Sequence, residues 1–134
     1  MKKLNQILII LFFSCLMLTC KDQSELTMER GIYFYDLENY NEAANQFNKI
    51  ILSYGSDIRT LNAKNIELLA QAYQQLSLSQ AKLASKTDNP TNKNLYYESA
   101  LENIKKAEQL AIRPNKREEY RKTHLGILQN SNNY

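Results

Sequence analysis

The chain predicts an all-α protein, and three observations carry that expectation. Glycine and proline are scarce, with three and two residues in a chain of 134, so few positions can interrupt a helix. Long stretches are built from Ala, Leu, Gln, Lys and Glu, which are good helix formers. Val is absent and Thr is sparse, and no two alternating β-branched segments are joined by a tight turn, so strands are not expected. Apolar residues instead recur at i, i+4 and i+7, the spacing that places them on one helical face.

The elements follow in order. Asp22 and Glu25 read as a capping box, with Ser24 as a competing cap, for a first helix reaching about Leu37. Leu26, Ile32, Tyr33, Phe34 and Leu37 form its apolar stripe, and Glu38-Asn39 break it. A second helix over about 40–53 carries Ala43, Ala44, Phe47, Ile50 and Ile51. It stops at Tyr54-Gly55-Ser56, where Gly55 can take the left-handed cap conformation. A long third helix runs from Asp57 or Thr60 to Lys86, with Leu61, Ile66, Leu69, Ala70, Tyr73, Leu76 and Leu78 on its buried face. Asp88-Asn89-Pro90-Thr91 ends it, because proline disfavours helix in the residue before it. A fourth helix over about 92–112 carries Tyr96, Ala100, Leu101, Ile104, Ala107 and Leu110. Pro114 suits the start of a fifth, with Tyr120, His124, Leu125 and Leu128 on one side and a frayed polar tail over 129–134.

The N-terminus has a different character. Lys2 and Lys3 precede an apolar run over 7–19, which ends at Cys20, and Lys21, Asp22, Gln23 and Ser24 follow at once. Thirteen residues make about 20 Å of helix, short of the roughly 17–25 residues a membrane span needs and suited to the apolar region of a signal peptide. The layout resembles a bacterial lipoprotein signal. Before the cysteine stand Met17, Leu18 and Thr19, where the family favours an earlier Leu and a small final residue. Cys15 follows the small Ser14, but processing there would leave Leu16, Met17 and Leu18 at the head of a tether that is normally polar. The resemblance therefore implies removal of residues 1–19 and lipidation of Cys20, with palmitate-type chains. Two or more such chains anchor stably where one is marginal. A non-lipidated secreted protein and a short membrane anchor are the alternatives. The expected location is a bacterial membrane, on its periplasmic face or at the cell surface.

The remaining residues, 20–134, fit one domain of ordinary size. No cysteine lies beyond Cys20, which excludes a disulfide, a thiolate nucleophile or a Cys-based metal site in this part. Lys2 and Lys3 account for two of the 17 basic residues, leaving 15 against 14 acidic ones, so net charge does not point to nucleic acid. Basic residues do gather after residue 104: Lys105, Lys106, Arg113, Lys116, Arg117, Arg121 and Lys122 against Glu108, Glu118 and Glu119. This is a solvated helix face or a weak attraction for anionic lipid or an acidic partner.

Helix pairs of this size prompt a search for repeats. The first pair reads Thr27-x₂-Arg30-Gly31-x₂-Phe34 and then Ala43-x₃-Phe47, preceded by Tyr40-Asn41-Glu42. Small Gly31 and Ala43 would let two helices approach closely, with Phe34 and Phe47 filling the space beside them. The third and fourth helices echo this as Ile66-x₂-Leu69-Ala70-x₂-Tyr73 and Tyr97-Glu98-Ser99-Ala100-x₃-Ile104. The spacing resembles the tetratricopeptide (TPR) repeat, in the first pair with the small positions the family's twelve positions apart, in the second with eighteen more. Arg30 stands where Leu is usual, there is no Trp, and no Pro follows the first pair. The resemblance implies antiparallel helix pairs in a TPR-like α-solenoid of about two repeats, over about 24–56 and 60–113, with a capping helix over about 115–129. A generic helical bundle is the alternative. Two repeats are fewer than the roughly three a stack needs, so self-association or a partner would supply the remaining burial.

Catalytic constellations are not visible. His124 is the single histidine, expected as a half-buried polar residue, and Glu118 and Glu119 are adjacent, so on a helix they point about 100° apart. There is no G-x-S-x-G, phosphate loop or EF-hand spacing. No enzyme activity, metal, cofactor or nucleic-acid partner is expected. In the TPR family the first helix of each pair lines the concave surface. Carried over, the groove would present Glu25, Met28, Ile32, Tyr35 and Asp36, then Lys64, Glu67, Gln71, Gln74 and Gln75. Such a surface suits an extended or helical peptide, although Ile32 and Tyr35 can equally pack on the third helix. The resemblances together imply a membrane-anchored protein-protein interaction scaffold or assembly factor of the cell envelope. A surface lipoprotein contacting host or environmental ligands is the second expectation.

Overall fold

The computed structural model describes residues 22–55 and 57–133, and the apolar run, Cys15 and Cys20 lie outside the described residues. Helices follow one another as α1 (Gln23–Asp36), α2 (Tyr40–Tyr54), a short 3-10 turn (Ile58–Thr60), α3 (Ala63–Lys86), α4 (Pro90–Leu110) and α5 (Pro114–Asn132). No strand occurs among the described residues, and no helix there is long and apolar enough to cross a membrane. Each helix packs mainly on its chain neighbours, and α1 and α5 touch α3 more lightly.

Local chemistry sets the helix ends, and several differ from expectation. The capping box at α1 does not form: the Asp22 side chain makes no cap bond. Asp22 instead accepts from the Tyr54 hydroxyl at 3.5 Å, and Glu25 pairs with Lys64 at 2.7 Å. Both carboxylates are drawn across to neighbouring helices. α1 ends in a Schellman turn, where Asn39 N–H donates to the Phe34 carbonyl and Glu38 N–H to that of Tyr35, both at 2.9 Å. Glu38 takes the left-handed position at φ 58°, usually a glycine site. Its carboxylate reaches Lys86 at the end of α3 at 2.6 Å.

The third helix starts later than its apolar pattern suggests. Asp57 caps the 3-10 turn by accepting from Arg59 N–H, Leu61 is extended, and Asn62 then caps α3 by accepting from Asn65 N–H at 2.9 Å. Pro90 opens α4 rather than merely separating it from α3: it sits in the first turn, where a missing N–H costs nothing, and Asn89 caps. Pro114 opens α5 in the same way. The tail does not fray where expected, since α5 continues to Asn132.

The interior forms two apolar clusters. One joins Met28 of α1, Ala43, Phe47 and Ile50 of α2, and Ala72 and Leu76 of α3. The other joins Ala70 and Ala84 of α3, Tyr97, Ala100, Ile104 and Ala107 of α4, Ala111 in the link, and Tyr120 and Ile127 of α5. Ala70 and Ala72 lie two positions apart, about 200° around the helix, so α3 feeds opposite clusters. The apolar stripes differ from expectation at the margins. Leu26 and Tyr33 stand exposed on α1, and Leu125 and Leu128 on α5, whose buried face is Tyr120 and Ile127, seven residues apart.

Gly31 is buried where α1 crosses α2. A Cβ built on it would lie 2.4 Å from Cε1 of Phe47, itself fully buried. Gly126, inside α5, has nothing within 4 Å of its would-be Cβ. The same substitution at the two sites is therefore expected to act in opposite directions. Gly31→Ala should lower stability by about 1–3 kcal/mol through overpacking. Gly126→Ala should raise it by about 0.5–1 kcal/mol through helix propensity. Denaturant midpoints of the two variants check both signs.

Candidate functional site

α3 and α5 run side by side in the same direction, with contacts that advance together along both chains. Arg113, just before α5, pairs with Glu67 at 2.6 Å. Further along, Gln74 Nε2 donates to Glu119 Oε1 and to Thr123 Oγ1, each at 3.2 Å. Gln74 is a buried amide, so these bonds satisfy a group that would otherwise cost about 1–3 kcal/mol to bury. Glu119 is held below the usual carboxylate range, chiefly by Lys116 at 2.7 Å, with burial opposing and Gln74 adding a smaller lowering effect. Gln74 thus pins the seam at its middle and leaves a cleft on either side.

The cleft toward the start of α3 is small, about 170 Å³, and carries most of the charged side chains of the seam. Glu25, Lys64, Glu67, Gln71, Arg113 and Lys116 line it over Leu68, Ala70 and Tyr120. Its cations are engaged: Lys64 by Glu25, which raises the lysine pKa, Arg113 by Glu67, and Lys116 by Glu119. The cleft toward the end of α3 is larger, about 530 Å³. Leu78, Ala81, Tyr97 and Ile127 give it an apolar lining, and Lys82, Ser85, Thr123, Asn130 and Asn133 surround them with polar groups. Gly126 also lines it, and its lack of a side chain keeps the cleft wide there. An apolar floor with a ring of hydroxyl and amide groups suits a short apolar peptide segment.

The ten residues expected to form one groove are divided by the structure. Glu25, Lys64, Glu67 and Gln71 come together in the small cleft. Met28 is 4% exposed and belongs to the core, and Gln74 is consumed by α5, so neither presents a free side chain. Ile32 and Tyr35 pack against the first cluster, with the Tyr35 ring edge-on to Tyr40 at 5.2 Å. Burial, followed by Tyr40 and Asp36, raises the Tyr35 pKa. Asp36 is exposed at the far end of α1, and Gln75 is half-buried, away from both clefts. The larger cleft was missed because half of its wall comes from α5, which the pattern assigned only a capping role. The available signal was Gly126, a glycine inside a helix with no turn to explain it.

His124 Nδ1 lies 2.6 Å from Glu108 Oε1 on α4, tying the outer side of α5 to its neighbour. Among the described residues no group of three or more His, Cys, Asp or Glu side chains converges as a metal site. Comparison with protein-family profiles, with characterised proteins and with solved structures gives no match.

Tyr120 closes the floor of the small cleft at 3% exposure. Burial first, then Glu119 and Glu67, push its hydroxyl up to about 12 from 10, with Arg113 opposing. The folded state therefore keeps a proton that the unfolded chain has already released, and stability falls as pH rises from about 10 to about 12. Tyr120→Phe should lose less stability over that interval than the parent chain. Urea denaturation at both ends of the interval measures the difference, and equal losses would remove Tyr120 from this account.

Proposed function

We propose that the chain is a lipid-anchored, TPR-like interaction protein of the bacterial envelope, which holds a segment of another protein in the larger cleft between α3 and α5. The observation that carries the reading is that cleft: about 530 Å³, apolar at its floor, polar around it, and open between two helices pinned together at Gln74. The repeat reading is supported by its small positions. Gly31, Ala43, Ala70 and Ala100 are all buried where successive helices cross. α5 lies beside α3 as the first helix of a further unit would, so the seam is built like the groove between units. Anchoring is supported by the Lys2-Lys3, apolar run and Cys20 layout ahead of the helices.

Two experiments test the two halves of this reading. Ser85 is exposed at the edge of the cleft, so Ser85→Trp should block it without disturbing the core. Recovery of the bound protein from detergent-solubilised membranes is expected to fall about tenfold or more; undiminished recovery would sink the cleft assignment. For the anchor, Cys20→Ala should move the protein from the membrane fraction to the soluble one, while Cys15→Ala leaves it in place. The reverse result would make Cys15 the modified residue.

A further inference from the structure

Contacts across several elements define the end of the bundle where α1 begins. The Tyr54 hydroxyl, at the end of α2, reaches Asp22 before α1 and Asn65 in the first turn of α3. Lys64 joins α3 to α1, and Arg113 joins the link between α4 and α5 to α3. Four large apolar side chains stand exposed at this end: Leu26 in the first turn of α1, Leu52 in the last turn of α2, Ile58 in the 3-10 turn and Ile112 in the link. Leu52 is 78% exposed. None of the four belongs to either core cluster.

Only Lys21 and Asp22 separate Cys20 from the first residue of α1. Fully extended chain spans at most about 3.3–3.6 Å per residue, so Cys20 lies within about 10 Å of Gln23 however the linker runs. The polar layer of a bilayer leaflet is about 5–8 Å deep. A tether that outreaches this layer by only a few ångströms keeps the domain at the lipid surface.

We propose that this end of the bundle is seated on the phospholipid surface, with Leu26, Leu52, Ile58 and Ile112 entering the interfacial layer. The inference rests on Cys20 being the anchor of the proposed function, and it adds an orientation. Apolar contact takes the larger share of the seating, because three cations at this end are paired, Arg59 with Asp57, Lys64 with Glu25 and Arg113 with Glu67, and Arg117 donates to the Ala111 carbonyl. It also accounts for the placement of the larger cleft. Ala81 and Ser85 lie about 30 Å along α3 from its start, so the cleft lies well away from the seated end.

The test uses the full lipidated protein in vesicles of phosphatidylethanolamine and phosphatidylglycerol carrying a lipid-borne quencher. The described residues contain no cysteine, so single reporters can be placed by Leu52→Cys or Ile112→Cys, and at the opposite end by Leu37→Cys or Leu95→Cys. Labels at the first pair should be quenched several-fold more than at the second, with little change in high salt. Equal quenching at both ends of vesicle-bound protein would overturn the seating and leave the anchor standing. Protein that neither incorporates labelled palmitate nor floats with the vesicles would overturn the anchor reading itself. A Gly-Ser spacer after Lys21 separates contact from tethering. Quenching at Leu52→Cys should persist with the spacer and fall to the far-end level when Ile58→Ser and Ile112→Ser are added. Loss with the spacer alone would overturn the entry of these side chains into the lipid.

Discussion

The fold depends on α3 being enclosed from two opposite sides. A helix of 24 residues, about 36 Å long, is shared by two clusters that have no other extended element in common. Neighbours on both sides require small residues, and Ala70, Ala72, Ser77, Ser79 and Ala84 are all essentially unexposed. Enclosure also explains why its polar residues are so carefully occupied. Ser79 returns its hydroxyl to the Gln75 carbonyl at 2.9 Å, and Gln74 is taken up by α5. Ser77 Oγ has no protein partner, one of two such buried side-chain atoms among the described residues. Without α3, α1–α2 and α4–α5 would each be a hairpin of two helices with half a core.

Much of this was legible in the residues. The all-helical class, the five segments and the close approach at Gly31 follow from periodicity, scarce breakers and small residues at crossing points. The boundaries were read less well, because side-chain caps compete. Asn62 and Asn89 outbid the apolar pattern at the starts of α3 and α4, whereas Asp22 gave up capping for a contact across helices. Leu125 and Leu128 look like a helical stripe, but only packing decides which arc of a weakly amphipathic helix turns inward. Here Tyr120 and Ile127 do.

The site was legible only in part, for a related reason. The resemblance to the TPR repeat implies a common face for residues of α1 and α3, and four of them meet in the small cleft. The larger cleft depends on where α5 lies, and that is set by long-range bonds such as Gln74 to Glu119 and Thr123. No local pattern in α5 encodes its direction relative to α3. Gly126 is the exception, since a helix tolerates glycine at a cost of about 1 kcal/mol, and this one borders the larger cleft.

The neighbour-on-neighbour packing also bears on how the chain reaches this structure. Nearly every helix contact is made with the element just before or just after it in the chain. Contacts of short sequence separation close quickly, because little loop entropy must be lost before they are rewarded. Such a chain can assemble one hairpin at a time, with α3 docking on whatever precedes it. With no cysteine beyond Cys20, that assembly has no disulfide to form or reshuffle. A lipid-anchored domain of the kind proposed would therefore reach its working form without an oxidant.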